Sequence, residues 1–418
     1  MPRRAPLTLL SAATMAALAA AALAQTQTNN NPQNFARIEH GRYLTTVADC
    51  VACHTNPNGG QPFAGGRPIE TPFGNIVSAN ITPDLETGIG AWSDDRFDNA
   101  VRHGTRPDGA RIYPAMPYPF YTRMSRDDVL AIKAYLETIT PVHNAVNTNA
   151  LPFPFNVRLG MHVWDWLNFK DERFKPDPQK SAEWNRGAYL VEGPGHCGAC
   201  HTPKNFMGAD KSDKNLTGSY LQGWFAPDIT NDERTGLGRW SADDIVAFLK
   251  TGHSRIGAAV GPMKDEVQHA SSGMTDADLR AIAVYLKDQP GHSDQPQPLP
   301  KENAQMVAGE AIYHDQCSAC HQINGKGVAQ LFPSLADSSI VRSDDPTSLL
   351  HLVLRGSRSA ATQDEPTGPG MPSFAWQLSD AQIAAVATYV RNGWANPARA
   401  VSPADVAKLR SQLANRQD

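Results

Sequence analysis

Three stretches of the chain carry apolar residues at helical spacing directly behind a hydroxyl residue. Ser125 precedes Val129, Ile132, Tyr135 and Leu136; Thr275 precedes Leu279, Ile282, Tyr285 and Leu286; Ser379 precedes Ile383, Val386, Tyr389 and Val390. A serine or threonine side chain can accept from the free N–H groups of a helix start, and this spacing gathers the apolar side chains on one face. The pattern predicts three capped amphipathic helices. Met124 and Met274 stand just before two of the caps, where a hydrophobic staple would use them.

These helices close larger repeats. Gly41-Arg42-Tyr43-Leu44 is echoed by Gly187-Ala188-Tyr189-Leu190, and Thr87-Gly88-Ile89-Gly90-Ala91-Trp92-Ser93 by Thr235-Gly236-Leu237-Gly238-Arg239-Trp240-Ser241. The third repeat is shorter and lacks the second of these stretches. Recurrence of a whole supersecondary unit predicts three similar domains, at 35–145, 181–287 and 303–395. Between them lie a connector, 146–180, and a proline-rich linker, 288–302, read as a stiff extended spacer. A polar tail, 396–418, follows. The connector holds Leu151-Pro152-Phe153-Pro154-Phe155 and Trp164-Asp165-Trp166. Its aromatics are expected to fill an inter-domain core, with docking of a partner as the alternative.

Residues 1–24 read as an export signal. Arg3 and Arg4 start it, an Ala/Leu-rich stretch follows, and Ala22-Leu23-Ala24 forms a small-residue cleavage site. A retained membrane anchor is the alternative. Removing Arg3 and Arg4 with the signal leaves 36 basic against 42 acidic residues. Without a basic surplus, neither nucleic acid nor an anionic lipid surface is expected as a partner. No later apolar run approaches the ~20 residues of a membrane-spanning helix.

The chemistry lies in the cysteines. All 6 fall in three copies of C-x-x-C-H: Cys50-Val51-Ala52-Cys53-His54, Cys197-Gly198-Ala199-Cys200-His201 and Cys317-Ser318-Ala319-Cys320-His321. Two thiols on one helical turn can form thioethers with the two vinyls of one porphyrin, and the adjacent imidazole then faces the iron. A redox dithiol or half a zinc site could use a single copy; three copies with no cysteine left over favour three covalently bound haem c groups. Methionine is the candidate sixth ligand for an electron-transfer iron. His54 to Met116 and His201 to Met263 are both 62 residues, and His321 to Met371 is 50. Each of these methionines adjoins a proline that would hold its loop extended. His103, His253 and His351 are the competing candidates.

These residues resemble the tri-haem cytochrome c subunit of bacterial periplasmic membrane-associated dehydrogenases, a group that includes quinoprotein alcohol dehydrogenase and flavin-dependent gluconate, sorbitol, fructose and glucose dehydrogenases. The likeness runs from about Gly41 to Trp394. It is carried by Asp49-Cys50-Val51-Ala52-Cys53-His54-Thr55, Asn80-Ile81-Thr82-Pro83-Asp84, Tyr113-Pro114-Ala115-Met116-Pro117-Tyr118, the segment Ser181 to Leu190, and Gly261-Pro262-Met263.

The resemblance implies an all-α chain of three tandem cytochrome-c-like helical domains, each enclosing one haem. It implies crossings of first and last helices at Gly41/Tyr135, Gly187/Tyr285 and Gly309/Tyr389, and iron ligation by His54/Met116, His201/Met263 and His321/Met371. It further implies electron transfer from a catalytic dehydrogenase subunit, of flavin, quinoprotein or molybdenum type, to ubiquinone or a terminal oxidase. The expected location is the periplasmic face of the inner membrane, held peripherally. No catalytic residue of the chain's own is expected. A peroxidase-like haem enzyme and a free-standing carrier are the rival readings. Residues 401–418 are more polar than the membrane-attaching segment of many members, which puts direct anchoring in doubt.

Overall fold

The computed structural model describes residues 32–292, 294, 296–414 and 416. The expected export signal lies outside them. Three helix pairs organise the chain: Pro32–Val47 crosses Arg126–Leu136, Ala182–Glu192 crosses Asp276–Lys287, and Ala304–Gln316 crosses Asp380–Asn392. The second member of each pair starts at the anticipated cap. The side chains of Ser125, Thr275 and Ser379 accept from the backbone N–H groups of Asp128, Asp278 and Gln382. Met124 packs with Val129 in the first core, and Met274 with Leu279 in the second, as a staple requires.

Close approach at each crossing depends on glycine. A methyl group on Gly41, Gly187 or Gly309 would lie 1.8, 1.9 or 2.1 Å from the carbonyl oxygen of Ala131, Ala281 or Ala385. Gly187 and Gly309 also admit the Cβ atoms of Tyr285 and Tyr389. Tyr135 holds the corresponding position in the first pair and packs into its core. Each pair carries its own apolar cluster, centred on Leu44 and Ile132, Leu190 and Ile282, and Tyr313 and Ile383.

The all-α expectation needs one correction, because the helix-rich chain also contains short strands. Pro68–Thr71 pairs antiparallel with Gly74–Val77, Ser219–Leu221 with Trp224–Ala226, and Ser357–Arg358 with Gly370–Met371. Strands of two to four residues are too short to show a period-two pattern in the sequence. The middle hairpin turns on Gln222 and Gly223, with φ of 48° and 79°. That left-handed pair matches the twist of a two-residue hairpin loop.

Two different joints connect the units. At the first, Tyr43 Oη donates to Asp278 Oδ2 at 2.5 Å, while Tyr189 Oη donates to Asp128 Oδ2. Tyr43 and Tyr189 are repeat equivalents, as are Asp128 and Asp278, so the contact is reciprocal. At the second joint, the hairpin Ser219–Ala226 meets the helix Thr347–Arg355. Trp224 stacks on His351 with centroids 3.8 Å apart, and Phe225 and Ser348 exchange hydrogen bonds of 2.9 and 2.8 Å.

The connector divides between the two readings of its aromatics. Trp164 is buried on Tyr118 and Ala209, and its Nε1 donates to Met207 O at 2.9 Å. Phe153 and Trp166 are 81% and 82% exposed. The proline-rich linker is seated on the fold: Leu299 packs into the third core and donates its N–H to Asn392 Oδ1. The tail is likewise more than a polar appendage. Its helix Pro403–Ala414 buries Val406, Leu409 and Leu413 in the third core. Among the described residues no helix is long and apolar enough to cross a membrane.

Candidate haem centres

Each C-x-x-C-H motif lies on a single turn just after the opening helix of its unit: Cys50–Cys53, Gly198–His201 and Ser318–His321. None of the six cysteines is paired in a disulfide. Burial pushes Cys50 and Cys197 up to about 12 and Cys200 and Cys317 up to about 11. A reactive dithiol or thiolate metal site would lower those values with neighbouring positive charge. These surroundings keep those four sulfurs neutral, which suits thioether carbon–sulfur bonds.

The adjacent histidines share one arrangement. His54 Nδ1 lies 2.7 Å from Ala79 O, His201 Nδ1 2.6 Å from Pro227 O, and His321 Nδ1 3.1 Å from Pro333 O. A carbonyl only accepts, so Nδ1 carries the proton and Nε2 keeps its lone pair for a metal. Burial lowers all three imidazole pKa values and holds the rings neutral. This set of donors fits a haem iron.

The carbonyls of Ala79 and Pro227 are braced by stretches that the repeat makes visible without explaining. Asn80, next to Ala79, accepts from Thr82 N–H at 2.9 Å and donates to Val142 O at 2.7 Å. Asp228, next to Pro227, accepts from Thr230 N–H at 2.7 Å. The T-G-x-G-x-W-S stretch packs on this turn: a methyl on Gly88 would fall 2.1 Å from Thr82 O, and one on Gly236 2.5 Å from Thr230 O. These glycines therefore support the imidazole through the backbone. One further polar group fits a haem carboxylate. Trp240 Nε1 is buried without a protein partner, and its ring shares an apolar cluster with Cys197.

The methionines are placed less uniformly. Met116 packs into the cluster that holds Cys50, Phe63 and Ile81. Met263 opens the helix Pro262–His269 and packs with Ala259, Val267 and Ala360; Phe248 joins this group to the cluster of Cys197. Met371 lies on a strand opposite Ser357, beside the cluster of Cys317 rather than within it. The competing histidines have other contacts. His103 Nδ1 is 3.4 Å from Asp171, His253 Nε2 is 3.2 Å from Ala360 O, and His351 stacks on Trp224.

A motif turn following the opening helix, an imidazole fixed by a backbone carbonyl and a crossing at glycine are the features of a c-type cytochrome. Residues 38–140 and 306–394 match the family model of cytochrome c. The chain is 41% identical over 415 residues to the gluconate 2-dehydrogenase cytochrome c subunit of Pantoea cypripedii, covering 94% of this chain and 92% of that one. It is 41% identical over 397 residues to the cytochrome c subunit of the quinone alcohol dehydrogenase of Gluconobacter oxydans (strain 621H), covering 90% and 82%. To the fructose dehydrogenase cytochrome subunit of Gluconobacter japonicus it is 37% identical over 401 residues, again 90% and 82%. The chain belongs to the family of dehydrogenase cytochrome c subunits.

Proposed function

We propose that the chain is the electron-transfer subunit of a periplasmic dehydrogenase and holds three haem c groups. Cys50/Cys53, Cys197/Cys200 and Cys317/Cys320 attach them, within three cytochrome c domains at 35–145, 181–287 and 303–395. His54/Met116, His201/Met263 and His321/Met371 ligate the irons. The observation that carries this reading is the carbonyl-fixed imidazole, repeated after all three motifs.

Bound haem supplies a one-electron iron couple; the protein sets potential, spacing and docking. A histidine–methionine pair places that couple in the range of electron-transfer cytochromes. The relatives' names point to a catalytic dehydrogenase subunit as donor, and the resemblance read from the sequence makes it one of flavin, quinoprotein or molybdenum type. Ubiquinone or a terminal oxidase is the acceptor, and the chain sits peripherally on the inner membrane through its complex.

Attachment and ligation are tested together. Protein made with haem-maturation machinery should keep three haems through denaturation and acid–acetone extraction, and the double change Cys197→Ser, Cys200→Ser should remove one. Fully matured protein carrying two or fewer would overturn the count. The reduced parent should bind no carbon monoxide, while Met116→Ala, Met263→Ala and Met371→Ala should each open one iron to it. Carbon monoxide on all three haems of the parent would overturn the ligand assignment, and carbon monoxide on one of them would favour the peroxidase-like reading instead.

A further inference from the structure

The approach to Met263 is held by a ladder that ends in the third unit. Ala259 N–H donates to Gly252 O at 2.8 Å, and Ala360 N–H donates in turn to Ala259 O at 2.9 Å. One residue back, Ser359 N–H donates to Pro369 O at 3.1 Å, and Ser357 pairs with Met371. Segments 252–253, 258–259, 359–360 and 369–371 are thus stitched side by side across the boundary between units. Met263 packs on the same group, with Ala259, Val267 and the fully buried Ala360.

His253 secures this seam. It is 3% exposed, and its Nε2 faces Ala360 O at 3.2 Å and Ser359 Oγ at 3.4 Å. A carbonyl only accepts, so Nε2 carries the proton toward Ala360 O, the nearer partner, while Ser359 Oγ donates to Pro369 O at 3.1 Å. From the other side Gly252 leaves room for Ala360, whose Cβ would lie 2.6 Å from a methyl added there.

We propose that His253 is a positioning residue for the second iron. Through the segment Ser359–Ala360 it holds the approach to Met263 against the second haem, so methionine ligation in the second unit depends on the third unit being seated. The proposal rests on Met263 being the sixth ligand. It explains a buried histidine inside the second unit whose polar contacts run to the third, a pairing that ligation by His253 itself would break.

The test uses the full-length, haem-loaded protein, with haem content, the sulfur-to-iron charge-transfer band of the oxidised form and carbon monoxide binding of the reduced form as readouts. His253→Ala should keep three haems, lose about one third of the band and bind about one carbon monoxide per chain. Combined with Met263→Ala it should bind no more than Met263→Ala alone, because both open the same iron. His253→Gln should behave as the parent, since an amide N–H can still reach Ala360 O. Should His253→Ala fail to accumulate, Gly252→Ala presses on the same segment and should open the same iron. Three closed irons in His253→Ala, or in Gly252→Ala where His253→Ala fails to accumulate, alongside one open iron in Met263→Ala, would overturn the proposal. No open iron in Met263→Ala would instead remove the ligation reading beneath it, and the proposal with it.

Discussion

One added methyl at Gly309 would meet Ala385 O at 2.1 Å and Tyr389 Cβ at 2.7 Å. Neither is the loose end of a flexible side chain, so the helices must part. Gly309→Ala should therefore destabilise the protein by about 1–3 kcal/mol or more, read as a lower urea midpoint. Equivalent losses are expected at Gly187, which meets Ala281 in the same way. These glycines were visible in the sequence because each stands 8 to 10 residues ahead of its motif, where the resemblance pairs it with a tyrosine of the closing helix. The carbonyls that orient His54, His201 and His321 were not. A backbone acceptor can come from any residue, and here it comes from alanine once and from proline twice.

At the level of elements, capped helices with apolar residues three and four apart were legible because local chemistry and packing agree in them. The hairpins were hidden by their brevity. The tail concealed its stripe in a polar composition, yet Val406, Leu409 and Leu413 fall on one helical face and are buried. Leu409→Ala should accordingly cost about 2–5 kcal/mol, measured by thermal or urea unfolding. The connector offers a sharper contrast. Trp164→Ala empties a buried site and should cost about 3–5 kcal/mol. Trp166→Ala, two residues on and 82% exposed, should change stability by no more than about 0.5 kcal/mol. Melting curves of the two variants check both expectations.

Across the whole molecule, the joint between the first two units is sensitive to acid. Burial pushes the Asp278 carboxyl up, but the Arg186 guanidinium, bonded to both of its oxygens at 2.8 and 2.7 Å, and the Tyr43 hydroxyl hold it below its ordinary value. An acid depressed in this way contributes stability that is complete above its unfolded pKa and is lost as pH falls through the folded one. The joint should weaken below about pH 4, with little change between pH 5 and 8. Asp278→Asn should lower the urea midpoint at pH 7 and flatten its fall at low pH. An unchanged acid limb in that variant would assign the effect to other carboxylates.

The reciprocal tyrosine–aspartate contacts carry a further consequence, concerning assembly. A contact in which each partner presents the same patch to the other is isologous, and such an interface closes on itself. Once Tyr43 meets Asp278 and Tyr189 meets Asp128, neither unit has a second copy of that patch to offer. The third unit joins by another route, through Trp224, Phe225, Ser348 and His351, in a head-to-tail contact. Head-to-tail contacts can in principle repeat without limit. On the third unit, the tail helix Pro403–Ala414 covers the core.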